Sequence, residues 1–261
     1  MSERIKIIKP SGDGHSGDTF RELLDIWEEK GYVKISHENT PHVWWGGVEE
    51  ILLYDRPVIL HDLSRLKRKG ALFANTIPSG CRPWTFWARS PRLLEKRIDY
   101  GVPTFSDREV SSIFLGKVEN NTQRANRVKQ DWGEHVEEFS MPILIGDSSN
   151  WPYSKEEYLD KIALSKFGLC LPGYGPKCNR EIEYMGLGVV PIITPGVDLT
   201  YHEPPVEGVH YLKVSTAAQV PDKTSGITEG QWTKMSLNCR DWYKRNCAPE
   251  GSFNLTKKLI S

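Results

Sequence analysis

The stretch 165–194 constrains the fold most, because it combines two short apolar runs with a glycine-rich turn and a helical segment. The apolar runs, 167–171 and 189–193, have the length and composition of buried strands. The turn 172–176 and a helix predicted over 177–187 lie between them. Two buried strands joined through a helix form a parallel βαβ unit, so the sequence predicts an α/β fold with a parallel sheet.

The same alternation opens the chain. Residues 5–8 predict a first strand, and residues 32–36 predict a second. Thr19 and Glu22 have the spacing of a capping box, and Gly31 fits the end of the helix expected between these strands. Apolar residues recur along that helix at i, i+3, i+4 and i+7, namely at Phe20, Leu23, Leu24 and Trp27.

A second run of alternation begins near residue 110. Its predicted elements are a strand at 111–116, a helix over 123–138, a strand at 142–146, a helix at 154–164 and a late helix over 228–246. Short apolar runs also occur at 57–60 and 71–74.

This pattern indicates two small Rossmann-like domains that face each other across a cleft, and a chain of 261 residues accommodates two small domains. The expected bounds are 1–110 and 111–240. The segment 241–261 is then a C-terminal segment that can pack back on the first domain.

Composition excludes several classes of function. The 34 basic and 34 acidic residues cancel, so the chain lacks the basic excess typical of nucleic-acid binding. No apolar run approaches the roughly 18 residues of a membrane helix, and the apolar stretch near the N-terminus is too short for a secretory signal. Five cysteines without CxxC spacing indicate reduced thiols. We expect a soluble, cytoplasmic protein without a membrane span.

The turn at 172–176 has the features of an anion site. Gly173 and Gly175, which flank Tyr174, allow a ligand to approach the backbone closely, and the following helix directs free N–H groups toward the turn. Lys177 and Arg180 add cationic donors. These features predict a diphosphate site. Glu183, one turn beyond Arg180, can accept hydrogen bonds from a ribose or a sugar diol. The alternative is a structural strand–helix–strand unit in which Arg180 and Glu183 are simply solvated.

At these residues the chain resembles a known family. Arg180-x-x-Glu183 followed by Gly188-x-x-Pro191 is similar to the donor-site signature of GT-B glycosyltransferases, above all the exostosin-like group. It is also similar to the small soluble glycosyltransferases of large algal viruses, which include a xylosyltransferase that builds capsid glycans. The resemblance covers about 30 residues, 165–194. Exostosin-like enzymes are usually longer and membrane-anchored, which leaves location and acceptor open.

The resemblance implies a GT-B fold in which Arg180 contacts the nucleotide diphosphate and Glu183 contacts the ribose. It implies transfer of a sugar, with xylose among the candidates, from a UDP-sugar to a hydroxyl of an oligosaccharide or glycoprotein glycan, with inversion. A viral enzyme of this kind would act in the host cytoplasm. The sequence contains no Asp-x-Asp motif and no ligand cluster with metal spacing, so we expect no metal and no cofactor besides the donor substrate.

Further cations are expected beside this donor site. The predicted strand 111–116 leads through Lys117 to a helix that carries Arg124 and Arg127, and basic residues at this place meet the diphosphate in similar enzymes. The alternative for each arginine is a solvated polar helix face.

The loop Gly12-Asp-Gly-His-Ser-Gly17 is a literal G-x-G-x-x-G between a strand and a helix, and Glu38 lies 21 residues after it. An NAD(P)-dependent oxidoreductase is therefore an alternative function. As a glycosyltransferase, the chain would use Asp13 or His15 of this loop as the general base for the acceptor hydroxyl. A third possibility is a nucleotide-sugar-binding protein without catalysis.

Tryptophans are concentrated in the N-terminal half as two close pairs. They can stack on an acceptor sugar, or they can pack in the core. The candidates for acceptor binding are Trp44, Trp45, Trp84 and Trp87.

Overall fold

The computed structural model of the chain describes residues 5–8, 15–36, 53–54, 72–74, 77, 82–144 and 150–260. Its contacts divide the chain into two compact units. Unit 1 comprises Met1–Arg92, Thr200–Pro204 and Lys244–Ser261, and unit 2 comprises Leu93–Leu199 and Pro205–Tyr243. The bounds and roles expected of the two domains stay predictions.

Strands and helices alternate along most of the described residues. The strands are β1 (Ile5–Ile8), β2 (Val33–Ser36), β3 (Leu53–Tyr54), β4 (Leu72–Phe73), β5 (Arg82–Pro83), β6 (Val110–Leu115), β7 (Glu138–Ser140), β8 (Ser165–Cys170), β9 (Val190–Ile193) and β10 (Leu212–Lys213). The helices are α1 (His15–Glu29), α2 (Pro91–Asp99), α3 (Asn121–Arg127), α4 (Lys155–Ala163), α5 (Asn179–Gly186), α6 (Gln219–Ser225), α7 (Glu229–Asn246) and α8 (Pro249–Ile260).

Unit 2 is built on a sheet of five parallel strands in the order β10-β9-β8-β6-β7. Its register is set by pairs such as Ser112 with Phe167 and Gly168 with Pro191. This sheet confirms the α/β class and the parallel sheet predicted from the sequence, including the strands on either side of the glycine-rich turn.

Helices cover both faces of this sheet. Side chains alternate along β8, so Phe167 and Leu169 face one side and Gly168 faces the other. Phe167 and Leu169 belong to a buried apolar cluster that includes Trp232 of α7. On the opposite side, Gly168 lies so close to α5 that an added Cβ would be 2.4 Å from the ring of Tyr184. β8 is therefore covered on both faces of the sheet.

Local signals explain where several helices begin and end. Ser154 caps α4, because its Oγ accepts from Glu157 N at 3.1 Å while Glu157 Oε2 accepts from Ser154 N at 2.7 Å. Gly31 and Gly188 follow α1 and α5 with positive φ values of 71° and 65°. The helix predicted at 154–164 and the predicted stop of α1 at Gly31 are both confirmed.

Unit 1 contains two small parallel sheets. β1 and β2 pair in parallel, and α1 connects them, which confirms the strand–helix–strand unit predicted at the start of the chain. β3, β4 and β5 form the second sheet. Trp27 of α1 donates its indole N–H to Pro249 O of α8 at 2.7 Å and meets the ring of Phe253 edge-on at 5.6 Å. The C-terminal helix is thus part of the core of this unit.

Three predictions about elements are wrong, and each has a physical reason. The helix expected over 123–138 ends at Arg127, because the chain then makes a 3-10 turn at Trp132–Glu134 that buries Trp132 and enters β7. Of the strand expected at 142–146, only an isolated bridge at Ile143 is present among residues 142–144, since β7 already pairs with β6. Thr19 is no cap, because α1 begins at His15. The run 57–60 lies outside the described residues.

Candidate functional site

The strand order of unit 2 creates a place where a ligand can bind. From β6 the chain moves outward to β7 and then returns to β8 on the other side of β6. The direction of the winding therefore reverses between β6 and β8. In open parallel sheets, ligands bind beyond the carboxyl ends of the strands at such a reversal. We call this place the switch point, formed by the segments 116–120 after β6 and 171–178 after β8.

Arg127 at the end of α3 ties the two segments of the switch point together. Its Nε donates to Pro172 O at 2.9 Å, and its Nη1 donates to Lys117 O in a short hydrogen bond. The neighbouring Asn126 donates from Nδ2 to Gly173 O at 3.4 Å. Burial lowers the pKa of Arg127 to about 10, and the nearby Arg180 acts in the same direction. Arg127 thus holds both loops while keeping its positive charge between them.

Arg180 connects the start of α5 to the end of β6. Its Nη2 donates to Leu115 O at 3.0 Å, and its guanidinium lies 4.4 Å from the centre of the Phe114 ring. Its Nε is buried and has no hydrogen-bond partner among the described residues. Gly116 leaves room for this arrangement, because a Cβ there would be 2.8 Å from Arg180 Nη2. A buried N–H without an acceptor is unfavourable, which favours a ligand oxygen at this point.

Lys177 is the most buried cation of the switch point, with 3% of its surface exposed. Its Nζ lies 3.8 Å from Asp198 Oδ2, in the segment that follows β9. Burial lowers the pKa of Lys177 to about 8, although Asp198 acts in the opposite direction. An anion that approaches this ammonium group would favour its charged form.

Lys117, Glu119 and Tyr174 form a contact between the two loops. Lys117 Nζ makes a close ion pair with Glu119 Oε1, and Tyr174 donates its hydroxyl hydrogen to Glu119 Oε2. Tyr174 is otherwise 57% exposed at the tip of the glycine-rich turn. We call this trio the Glu119 latch. Lys117 and Tyr174 were predicted from the sequence, whereas Glu119 carries no local motif and was not.

The two glutamates of α5 have different surroundings. Glu183 is buried and accepts from Tyr158 Oη of α4 at 3.0 Å, so its predicted contact with a ribose stays a prediction. Glu181 Oε2 accepts from Cys178 N at 3.0 Å, whereas its Oε1 is buried without a partner among the described residues. Burial raises the pKa of Glu181 to about 7. Glu181 was not predicted from the sequence, although it stands three residues after the N-cap residue Cys178, which is the acidic position of a capping box.

The other predicted site residues fall into three groups. Arg124 is exposed on α3, and Gly173 and Gly175 lie in the glycine-rich turn. Trp84 and Trp87 are 0% exposed in unit 1, where Trp84 Nε1 donates to Thr256 Oγ1, so the structure gives their predicted acceptor role no support. Asp13, Trp44 and Trp45 lie outside the described residues, as does the side chain of His15, whose backbone begins α1.

No group of three or more His, Cys, Asp or Glu side chains among the described residues could hold a metal ion. None of the helices in this part of the chain is both long and apolar enough to cross a membrane. No protein-family model matches this chain, and no curated protein matches its sequence.

Proposed function

We propose that this chain is a glycosyltransferase of the GT-B type. It would transfer a sugar, with xylose among the candidates, from a UDP-sugar to a glycan hydroxyl with inversion. The observation that carries the proposal is the switch point between β6 and β8, where the segments after both strands contain glycines and where Lys117, Arg127, Lys177 and Arg180 lie. A cationic site with a helix N-terminus suits the diphosphate of a nucleotide sugar.

The diphosphate would be bound by the side chains nearest the loops. Lys117 and Lys177 would pair with phosphate oxygens, and the unpartnered Nε of Arg180 would donate to one more. In the transfer step the bond between the sugar and the diphosphate breaks while the acceptor oxygen attacks the sugar carbon. The same cations stabilise the charge that develops on the leaving diphosphate, so the reaction would proceed after chelation of divalent metals by EDTA.

The acceptor side of the proposal rests on unit 1. In a GT-B arrangement the two domains face each other, and the acceptor domain supplies the group that takes the proton of the acceptor hydroxyl. Asp13 and His15 are the candidates for this general base, which typically contributes about 10²–10⁴ in rate. Either Asp13→Asn or His15→Ala should lower the transfer rate by that order and leave UDP affinity nearly unchanged, and rates within about threefold of the wild type in both variants would place the base elsewhere.

A ligand panel tests the proposal directly. Thermal unfolding is measured with UDP, GDP, UDP-xylose, UDP-glucose, NAD and NADP, because a ligand that binds the folded state raises the midpoint. UDP and at least one UDP-sugar should raise it. Stabilisation by NAD or NADP alone would instead favour the oxidoreductase. Stabilisation by UDP-sugars without any release of UDP, with or without glycan acceptors, would favour a binding protein without catalysis.

A matched pair of variants locates the site. Arg180→Ala removes a charge-assisted contact, which should weaken UDP binding by about tenfold to a hundredfold in calorimetry. Arg108→Met removes another buried arginine of unit 2, whose guanidinium bonds Ala163 O, Ser165 O and Leu187 O at the opposite end of the sheet. This control should lower stability and leave UDP affinity within about twofold. Equal UDP affinity in Arg180→Ala and the wild type would contradict the assignment.

A further inference from the structure

We propose that Glu119 sets an affinity threshold for anions at the ligand site, because its carboxylate occupies the Lys117 ammonium group until a phosphate group displaces it. The inference rests on the proposed function, because it concerns how anions enter the same switch point. The Glu119 latch supplies the geometry, since one carboxylate binds Lys117 with Oε1 and accepts from Tyr174 with Oε2.

The ion pair of the latch is sheltered from water. The side chains of Lys117 and Glu119 are only 17% and 16% exposed. An ion pair covered to this extent is screened less than a surface pair, so its loss has a measurable effect on binding. A phosphate group that binds Lys117 must therefore first take the place of the Glu119 carboxylate, or it meets a like charge at close range.

Tyr174 extends this competition to the second loop. Its hydroxyl group joins the tip of the glycine-rich turn to Glu119, while the backbone before the tip is held by Arg127 at Pro172 O and by Asn126 at Gly173 O. Release of Glu119 from Lys117 thus also releases Tyr174. The latch reduces the affinity of every anion by the same factor. Weakly bound ions such as inorganic pyrophosphate are then excluded, whereas a nucleotide keeps enough affinity through its additional contacts.

The experiment measures the affinities of inorganic pyrophosphate and UDP by calorimetry in the full chain. Glu119→Gln keeps the shape of the side chain and removes its charge, and both ligands should bind about five- to tenfold more tightly. Tyr174→Phe removes the hydroxyl that joins the turn to Glu119 and leaves the pair of Lys117 with Glu119 in place, and we expect a gain of about two- to threefold. Because both changes act on one latch, the double variant should gain no more than Glu119→Gln alone.

Glu138→Gln is the matched control. Glu138 pairs with Lys161 at 3.0 Å in the same unit, so this variant removes the same charge at a pair outside the two segments of the switch point. Its affinities should stay within about twofold of the wild type. A gain equal to that of Glu119→Gln would show that only the net charge matters, and the latch would be refuted.

The two ligands separate the latch from the proposed function. If Glu119→Gln binds pyrophosphate more tightly but UDP binds no better than pyrophosphate in any variant, the latch stands and the nucleotide-sugar function fails. If UDP binds selectively but Glu119→Gln binds both ligands with unchanged or weaker affinity, the function stands and the latch is wrong. Failure of both ligands to bind any variant at millimolar concentration refutes both.

Discussion

Lys177 should make nucleotide binding depend on pH in a defined window. The residue is 3% exposed, and burial lowers the pKa of its ammonium group to about 8 from the ordinary 10.5. If UDP binds only the charged form, its apparent affinity follows the protonated fraction of Lys177. That fraction falls from roughly 90% at pH 7 to roughly 10% at pH 9 for a group with this pKa. UDP affinity should therefore fall about ninefold between these two pH values.

The stability of the protein should change in the opposite direction. Between pH 8 and 10.5 the unfolded chain keeps a proton on Lys177 that the folded chain has lost, because the pKa is lowered on folding. The free energy of unfolding then rises with pH across that window, by up to about 3 kcal/mol from this group. Unfolding of the protein therefore cannot explain a loss of UDP affinity at pH 9.

Calorimetric titration with UDP from pH 7 to 9 is the assay, and phosphate groups lose their last proton near pH 6, below this range. Lys177→Arg keeps a charge at every pH and should give a flat, high affinity profile. Lys177→Met should give a flat and low one. A wild-type profile that is flat, or that falls as steeply in Lys177→Arg as in the wild type, would refute the role of this lysine.

Four further changes test packing and burial in unit 2. Gly116→Ala should lower stability by about 1–3 kcal/mol in denaturant unfolding and also weaken UDP binding, because its Cβ would be 2.8 Å from Arg180 Nη2. A Cβ at Gly168, in the middle of β8, would be equally crowded, so Gly168→Ala should lower the free energy of unfolding and leave UDP affinity unchanged. Arg108→Met should lower the free energy of unfolding by about 3–5 kcal/mol, since it leaves buried carbonyl groups without their donor. In the wild type the free energy of unfolding should fall as the pH rises from 4.5 to 7, because the folded chain keeps a proton on Glu181 that the unfolded chain has lost. Glu181→Gln should abolish this fall.

The elements that sequence analysis predicted well carry their signal locally. β8, β9 and α5 combine short apolar runs with a glycine-containing turn, and α4 has a complete capping box. The end of α3 could not be predicted in this way, because the polar residues after Arg127 suit a helix as well as a loop. Burial of Trp132 and the pairing of β7 with β6 decide that segment, and both are contacts between residues distant from it in sequence.

The site was predictable to the level of residue types and loops. The sequence pointed to Lys117, Arg127, Lys177 and Arg180, and the structure places all four in or beside the segments that follow β6 and β8. The order of the strands was beyond local patterns, so the reversal between β6 and β8 could not be inferred. The partners were hidden for the same reason, since Arg127 bonds carbonyl groups 10 and 45 residues away.

Those partners divide the cations of the switch point into two kinds. Arg127 and Arg180 bind backbone carbonyl oxygens, which are neutral and stay in place when an anion arrives. Lys117 and Lys177 instead lie beside carboxylates, Glu119 and Asp198, which a phosphate must replace or tolerate. We therefore expect the arginines to fix the shape and the positive potential of the site, and the lysines to exchange one anion for another. For this reason charge changes at Glu119 and the titration of Lys177 should alter affinity without altering the fold, while changes around Arg127 and Arg180 should alter both.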